Sequence, residues 1–228
     1  MTRLTNGTAT VLLLSLVCLV FIASEVQARI VGPTGSRSRS SHQSSHEFIL
    51  EGGLAEPGDE LKGDFWTTEQ GMGAGTGYEL GLRFRQYVSD WFAVSPAFHY
   101  TRFGSAEGVL DDGYGTVPYS ITVSNYRYSL DFQAFMGPGD SSFRPFLTGG
   151  ISLINNRYKD EVQYGGTYQT SINTPAYHGG VGFKMSNIEL VGEYFYNRFD
   201  TTNLPPSDGT RTYDWDYVAI RVAFAFGR

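Results

Sequence analysis

The sequence DWDYVAIRVAFAF, residues 214–226, alternates strictly between two kinds of side chain. From Val218 every second residue is bulky and apolar, and the residues between them are small or polar, with Arg221 in the middle. Successive side chains of a β-strand point to opposite faces, so this stretch predicts a strand with one apolar and one polar face. The fold depends on which face points inward.

The composition favours many short strands in a single domain. The chain of 228 residues contains 28 Gly, 15 Tyr and 16 Phe, and helical periodicity is nearly absent from it. Lysine occurs only at Lys62, Lys159 and Lys184, whereas a soluble β protein normally displays lysine on its exposed face and edges. The net charge of −6, with no basic stripe, argues against nucleic acid as a partner.

The N-terminal segment, residues 1–28, is typical of a secretory signal peptide. Arg3 precedes an apolar run over residues 11–23, and residues 26–28 (VQA) resemble a cleavage site. The apolar run is shorter than the roughly 20 residues that a membrane-spanning helix needs. Residues 29–46 are rich in Ser and Arg and predict a disordered leader. Cys18 is the only cysteine, so we expect no disulfide after cleavage.

The alternating pattern recurs in eight segments, which are joined by long and short connections in turn. The predicted strands are residues 47–55, 76–86, 91–103, 119–136, 143–158, 175–185, 188–199 and 214–226. The predicted long loops are residues 56–75, 104–118, 159–174 and 201–213. An even strand number with short periplasmic turns and longer extracellular loops is typical of bacterial outer-membrane barrels. Both termini are then expected on the periplasmic side.

The polar face distinguishes two closed barrels. A soluble, lipocalin-like barrel would line a ligand cavity with its apolar face, whereas a membrane barrel turns that face to lipid. Here the polar face combines small residues with nearly balanced charges, which suits a narrow interior where ions must pair. The sequence therefore predicts an all-β, transmembrane, antiparallel up-and-down barrel of eight strands over residues 47–228.

The charges of the polar face predict an ion network inside the barrel. Because eight strands enclose a space that side chains just fill, we expect these residues to pair rather than to line a channel. Arg221 is expected to pair with Glu79 and Glu193. The predicted network consists of Glu79, Arg83, Arg85, Arg127, Asp131, Lys184, Glu189, Glu193 and Arg221.

Residues 47–226 resemble the small eight-stranded outer-membrane barrels of Gram-negative bacteria, the OmpA/OmpX-like group. The resemblance rests on the strand and loop rhythm and on the closing strand, in which Phe224-Ala225-Phe226 is similar to the family's terminal aromatic signal. Here Gly227 and Arg228 follow that signal. The resemblance implies that Phe224 and Phe226 form the periplasmic aromatic girdle and are read by the barrel assembly machinery. Outer-membrane lipids and lipopolysaccharide are the other implied partners, and no cofactor is implied.

The predicted function is a structural or surface-interaction role, in which extracellular loops bind a host or phage surface ligand. Candidate loop contacts are Phe65, Trp66, Asp111 and Asp112. Two alternatives stay open, a lipid A-modifying enzyme and a small porin-like pore for solutes. Mass spectrometry of lipid A and planar-bilayer recordings distinguish them.

Neither a catalytic nor a metal site is predicted. His99 lies near Thr101, and His178 is a candidate to pair with Glu193 or Ser171, but the sequence supplies no third, orienting group. The acidic loop residues match no calcium-loop spacing. We therefore expect both histidines to be packed inside the barrel.

Overall fold

The structure, a computed structural model, describes residues 46–62, 72–111, 115–138, 141–163, 165–201 and 211–227. The predicted signal peptide and the predicted leader as far as residue 45 lie outside the described residues, as do Phe65, Trp66 and Asp112. Asp111 lies at the end of a strand.

The described chain is built from β-strands. None of its described residues forms a helix long and apolar enough to cross a membrane. The strands are β1 (His46–Pro57), β2 (Gly75–Ser89), β3 (Phe92–Gly104), β4 (Ala106–Asp111), β5 (Thr116–Phe135), β6 (Phe143–Val162), β7 (Gly166–Met185), β8 (Ile188–Tyr196), β9 (Arg198–Thr201), β10 (Arg211–Asp214) and β11 (Tyr217–Phe226).

Eight of these strands close into a ring. The antiparallel neighbours follow the order β3-β2-β1-β11-β8-β7-β6-β5, and pairing between β3 and β5 completes the circle. The first and last strands are joined directly, with Phe48 opposite Phe226 and Leu50 opposite Phe224. Closure pairs the two edges that an open sheet would leave free. The predicted eight-stranded antiparallel barrel is confirmed.

The apolar row of the closing strand points outward. Its members, from Val218 to Phe226, are 41–58% exposed, whereas Arg221 between them is fully buried. On β6 the outward apolar row runs from Phe143 to Leu153. At about 3.3 Å per residue and a tilt of about 40°, these ten steps span roughly 25 Å along the barrel axis. That height matches the apolar band of a membrane barrel.

The two ends of the barrel differ. At one end, here called the turn end, short connections join β2 to β3, β5 to β6 and β7 to β8. The last of these is a two-residue turn in which Ser186 takes a left-handed conformation with φ 56°. The first residue of β1 and the last of β11 also lie there, because these strands pair over their full length. The opposite end is the loop end.

Much of the predicted loop sequence at the loop end is strand. β6 and β7 stay paired as far as Val162 and Gly166, so the predicted loop over residues 159–174 is wrong except at its tip. Inside the predicted loop 104–118, β4 pairs with β5, and inside the predicted loop 201–213, β10 pairs with β9. In these extensions most outward side chains are polar, with Val109 and Tyr168 as exceptions, and apolar ones such as Ile121 and Val123 face inward. The outward apolar row, on which the prediction of strands relied, ends where these extensions begin.

The predicted strand over residues 214–226 is interrupted. Trp215 and Asp216 lie between β10 and β11. The Asp216 carboxylate accepts hydrogen bonds from the Tyr194 hydroxyl and from the backbone N–H of Asn197, the latter at 2.9 Å. A carboxylate that caps a free backbone donor stabilises a bend at this point. Trp215 therefore turns inward, where it is 2% exposed.

Candidate functional site

The barrel interior at the turn end holds a cluster of ions. Arg85 donates two hydrogen bonds to Glu189, at 2.5 and 2.7 Å, and a third to Glu47 at 2.9 Å. Lys184 Nζ lies 2.5 Å from Glu47 Oε1, and the Tyr87 hydroxyl donates to the same carboxylate at 3.1 Å. The two-pronged contact of a guanidinium with a carboxylate is the strongest geometry for such a pair. This cluster closes the turn end.

A central cluster lies one layer further along the axis. Arg83 Nε is 2.8 Å from Glu51 Oε1 and 3.4 Å from Asp131 Oδ2, so one guanidinium bridges two carboxylates. His99 Nε2 lies 3.4 Å from Glu51 Oε2. All four side chains are essentially inaccessible to solvent. A buried ion without a counter-charge would lower the stability of the fold by several kcal/mol, on the order of 3–5. Each of these ions therefore depends on its partners.

Arg221 connects the central cluster to the next layer. Its guanidinium lies 3.1 Å from Glu51 Oε2 and forms short contacts with Glu79 and Glu193. Glu79 also accepts from Arg127 at 3.0 Å. One cation thus joins carboxylates from three strands, β1, β2 and β8, across the place where the barrel closes.

Above the ions, toward the loop end, the interior becomes apolar. Phe195 stacks on Tyr217 with ring centroids 4.5 Å apart, and Arg127 lies 3.8 Å from the Phe195 centroid. Leu61 and Met72, which flank the undescribed part of the first loop, are buried in the same cluster. The cluster comprises Ala55, Leu61, Met72, Ala74, Phe103, Tyr119, Ile121, Val123, Tyr158, Phe195, Phe199, Tyr213, Trp215, Tyr217 and Ala219. Side chains therefore fill the mouth as well as the middle of the barrel.

All nine residues of the predicted network point into the barrel and take part in these contacts, as described above. Sequence reasoning missed two further carboxylates, Glu47 and Glu51. The signal was present, because β1 alternates and the outward positions of Leu50 and Leu54 place Glu51 on the inner face. Their omission left the predicted network short of negative charge.

The structure places His178 beside a serine and an aspartate. His178 Nδ1 lies 3.1 Å from Ser152 Oγ, and its Nε2 lies 3.0 Å from Asp131 Oδ1. Neither Glu193 nor Ser171, the partners considered from the sequence, contacts it; Glu193 instead accepts from Thr148 at 2.9 Å. Register explains the meeting, since Asp131 is opposite Gly150 and Gly150 is opposite His178. All three side chains face the packed interior.

Beyond the apolar band, strands β4 to β7 form a sheet that we call the loop-end wall. β6 continues from Leu153 to Val162, nine steps that add roughly 20 Å at about 3.3 Å per residue and the same tilt. β7 pairs with β8 only from Tyr177 downward. On that side of β7, β9 comes near and Thr174 donates a hydrogen bond to Asn197 at 2.6 Å, but no strand of the described residues pairs with β7 between Thr170 and Ala176. The wall thus presents a strand edge.

The cations at the rim of the apolar band are paired on one side of the barrel. Lys62 Nζ lies 2.6 Å from Glu56, and Arg198 Nε lies 3.2 Å from Asp214. The hydrogen bond from Lys62 lowers the pKa of Glu56, and the same bond raises the pKa of Lys62. The pair is thus lost as pH falls through the lowered Glu56 value or rises through the raised Lys62 value. Both groups are exposed, so the stabilisation is small.

On the opposite side, the rim cations have no such partners. Among the described residues, no carboxylate lies within ion-pair distance of Arg102 on β3 or Arg157 on β6, and both are exposed. Arg157 is ordered by neutral groups instead. Its Nε donates to Asn155 Oδ1 at 2.9 Å, and its guanidinium carbon lies 4.5 Å from the centroid of the Tyr126 ring.

These features define a small membrane β-barrel with a filled interior. The model of the outer membrane protein beta-barrel domain family matches residues 14–226, and the chain belongs to that family. It is therefore a protein of the bacterial outer membrane, and the resemblance drawn from the sequence is confirmed. No curated protein matches the sequence.

Solved outer-membrane barrels are similar to this chain at low sequence identity. Ail, the attachment invasion locus protein of Yersinia pestis, solved with the heparin analogue sucrose octasulfate, is 14% identical with a TM-score of 0.50, over 79% of this chain and 99% of Ail. Neisserial surface protein A is 13% identical with a TM-score of 0.49, over 79% and 97%. The N-terminal barrel of Pseudomonas aeruginosa OprF is 14% identical with a TM-score of 0.42, over 81% and 98%.

Proposed function

We propose that this protein is a surface-interaction barrel that presents its loop end outside the cell. In this proposal a signal peptide, residues 1–28, directs export, and both termini lie in the periplasm. The observation that carries the proposal is the loop-end wall, which extends roughly 20 Å beyond the apolar band. A structure that only spanned the membrane would need no ordered sheet of that height.

The edge of β7 gives the wall a way to bind a partner. An extended peptide adds to a free strand edge through main-chain hydrogen bonds, and pockets for alternate side chains add selectivity. Pro175 lacks a backbone donor and is typical of an edge position, which leaves Thr170 to Thr174 as the segment available for pairing. At the tip of the wall, a cleft of about 720 Å³ is lined by residues that include Glu107, Tyr119 and Glu161. The proposed partner is an extended segment of a host or phage surface protein.

A cysteine-labelling experiment tests the orientation. Gln163→Cys places a thiol at the tip of the wall, and Asn187→Cys places one in a turn at the opposite end. Cys18 lies in the proposed signal peptide, so each mature variant would carry one thiol. A membrane-impermeant maleimide applied to intact cells is expected to label Gln163→Cys and to leave Asn187→Cys unlabelled until the cells are broken. The reverse pattern would refute the orientation.

Lysines on the edge strand are expected to weaken peptide capture. A random-peptide phage library, panned against the purified barrel in detergent, should yield peptides that bind the wild type and lose about tenfold affinity for Ser171→Lys/Asn173→Lys, because edge lysines oppose strand addition. The matched control, Thr122→Lys/Ser124→Lys, adds the same charge to the outer face of β5, a strand paired on both sides, and lies outside the cleft. Equal loss in both variants, or no enrichment of peptides, would contradict edge binding.

The other partners follow from the outer surface. The apolar band is proposed to contact outer-membrane lipids, including lipopolysaccharide. Phe224 and Phe226 face outward at the turn end, which supports their proposed roles in the periplasmic girdle and as the signal for the barrel assembly machinery. Phe65, Trp66, Asp111 and Asp112 stay predicted loop contacts.

We propose a role without catalysis and without a permeation pathway. A lipid A-modifying enzyme would have to bring its nucleophile to an acyl chain at the outer surface. The Ser152 hydroxyl beside His178 faces the interior instead, and the His178 side chain is 1% exposed. The ion layers and the apolar cluster above them support a barrel whose interior is packing rather than a channel.

A further inference from the structure

The outer surface at the rim of the apolar band is electrostatically uneven. On the side of β1, β8 and β11, Lys62 and Arg198 are neutralised by carboxylates at 2.6 and 3.2 Å. On the side of β3, β5 and β6, Arg102 and Arg157 are exposed, and the described residues offer neither of them a carboxylate. A cation without a partner on a membrane protein's outer wall is available to an anion from the surroundings.

The register brings the two arginines to the same level. Arg102 is opposite Ser124, and Ser124 is opposite Arg157, so the three residues form one row across β3, β5 and β6. Adjacent strands lie about 4.8 Å apart, which puts the two arginine Cα atoms about 10 Å apart. Side chains of that length reach a single headgroup placed over Ser124, whose hydroxyl adds a donor. Lys159, two residues beyond Arg157, is already paired with Glu161 at 2.7 Å.

The row lies at headgroup height. Directly below it is a belt of tyrosines, in which Tyr100 contacts Tyr78 and Tyr126 with ring centroids 6.3 and 5.1 Å apart. Tyrosine belts mark the boundary between hydrocarbon and headgroups. Arg157 rests on the ring of Tyr126 and is fixed by Asn155, so part of the ordering cost of binding is already met within the protein.

We propose that Arg102, Ser124 and Arg157 form a binding site for the phosphate groups of a lipid headgroup in the outer leaflet. Arginine suits this ligand, because its planar fork of donors matches the oxygens of phosphate. The occupant is a membrane lipid rather than a soluble anion, since the site stands directly above the lipid-facing tyrosines. The inference rests on the proposed function, in which the loop end lies outside the cell. It narrows the proposed lipid contact to a site on one face of the barrel.

Native mass spectrometry of the full barrel in detergent micelles tests the site, with diphosphoryl lipid A as the probe. The double variant Arg102→Gln/Arg157→Gln is expected to bind this lipid about 25-fold more weakly, because each arginine near a phosphate contributes on the order of a fivefold gain and the two gains multiply. The matched control, Lys62→Gln/Arg198→Gln, removes two cations from the paired side of the rim and is expected to change binding by less than about twofold. Both variants should keep the heat-modifiable migration of the folded barrel.

Three results would overturn the site. Equal weakening in the control variant would mean that net charge alone attracts the lipid. Wild-type binding that is as tight for lipid A stripped of its phosphates would assign the affinity to the acyl chains. Displacement of the lipid by inorganic phosphate at millimolar concentration would mean a site for free anions. If the proposed orientation were wrong, the labelling of Gln163→Cys would show it separately, because that labelling does not depend on lipid binding.

Discussion

Replacing Arg221 with methionine is expected to destabilise the folded barrel by about 3–5 kcal/mol. The guanidinium contacts Glu51, Glu79 and Glu193, and all three carboxylates are buried. Glu79 would keep Arg127 and Glu51 would keep Arg83, but the only ion-pair partner that the described residues give Glu193 is Arg221 itself. Methionine fills a similar volume, so the loss reflects buried negative charge rather than a cavity.

Urea unfolding in detergent micelles, followed by the shift from folded to unfolded migration, measures this loss. The control is Arg198→Met, which makes the same chemical change at an exposed pair with Asp214 and should cost about 1 kcal/mol or less. A double variant, Arg221→Met with Glu193→Gln, removes the stranded charge and should recover part of the stability. If Arg221→Met matched the control, the ion network would not stabilise the barrel.

The closing strand shows what a sequence reveals about such a barrel. Alternation in residues 214–226 sets the two faces, and the scarcity of lysine and the balanced small-residue face turn the apolar one outward. Closure then makes the last strand a neighbour of the first. The expected contacts of Arg221 follow from that strand order, because Glu193 is on the adjacent strand β8 and Glu79 is on β2, one strand beyond β1, and inward-facing side chains at that separation meet in a narrow interior. The orientation of the two strand faces and the strand order therefore predict much of the candidate site.

The features that the sequence did not predict depend on register or on a change of solvent. The meeting of His178 with Ser152 and Asp131 needs the pairings of β5 with β6 and of β6 with β7, which alternation leaves undefined. Part of the loop-end wall is predicted as loop because its outer face is polar. There the surroundings are water, so the strands keep alternating while the apolar residues move inward. For that reason the sequence did not predict the free strand edge on which the proposed function rests.

Replacing Gly53 with alanine is expected to destabilise the barrel by about 2 kcal/mol or more, through backbone overpacking. A Cβ atom at this position would overlap the backbone oxygen of Ile220 and would lie 2.7 Å from the Cα of Arg221. Neither atom belongs to a flexible side chain, so one strand has to move away from the other. Gly53 is opposite Arg221 in the register of β1 and β11, the pair of strands that joins the two ends of the chain.

The neighbouring glycine provides the control. At Gly52, on the outward face, an added Cβ would meet only the Leu80 side chain at an ordinary 3.5 Å, so Gly52→Ala should stay within about 0.5 kcal/mol of the wild type. Urea midpoints of the two variants, measured in the same micelles, make the comparison. Because a shift at Gly53 also displaces Arg221 from its three carboxylates, Gly53→Ala combined with Arg221→Met should cost less than the sum of the two single changes. Full additivity would show that the close approach of β1 and β11 is not what positions Arg221 in the network.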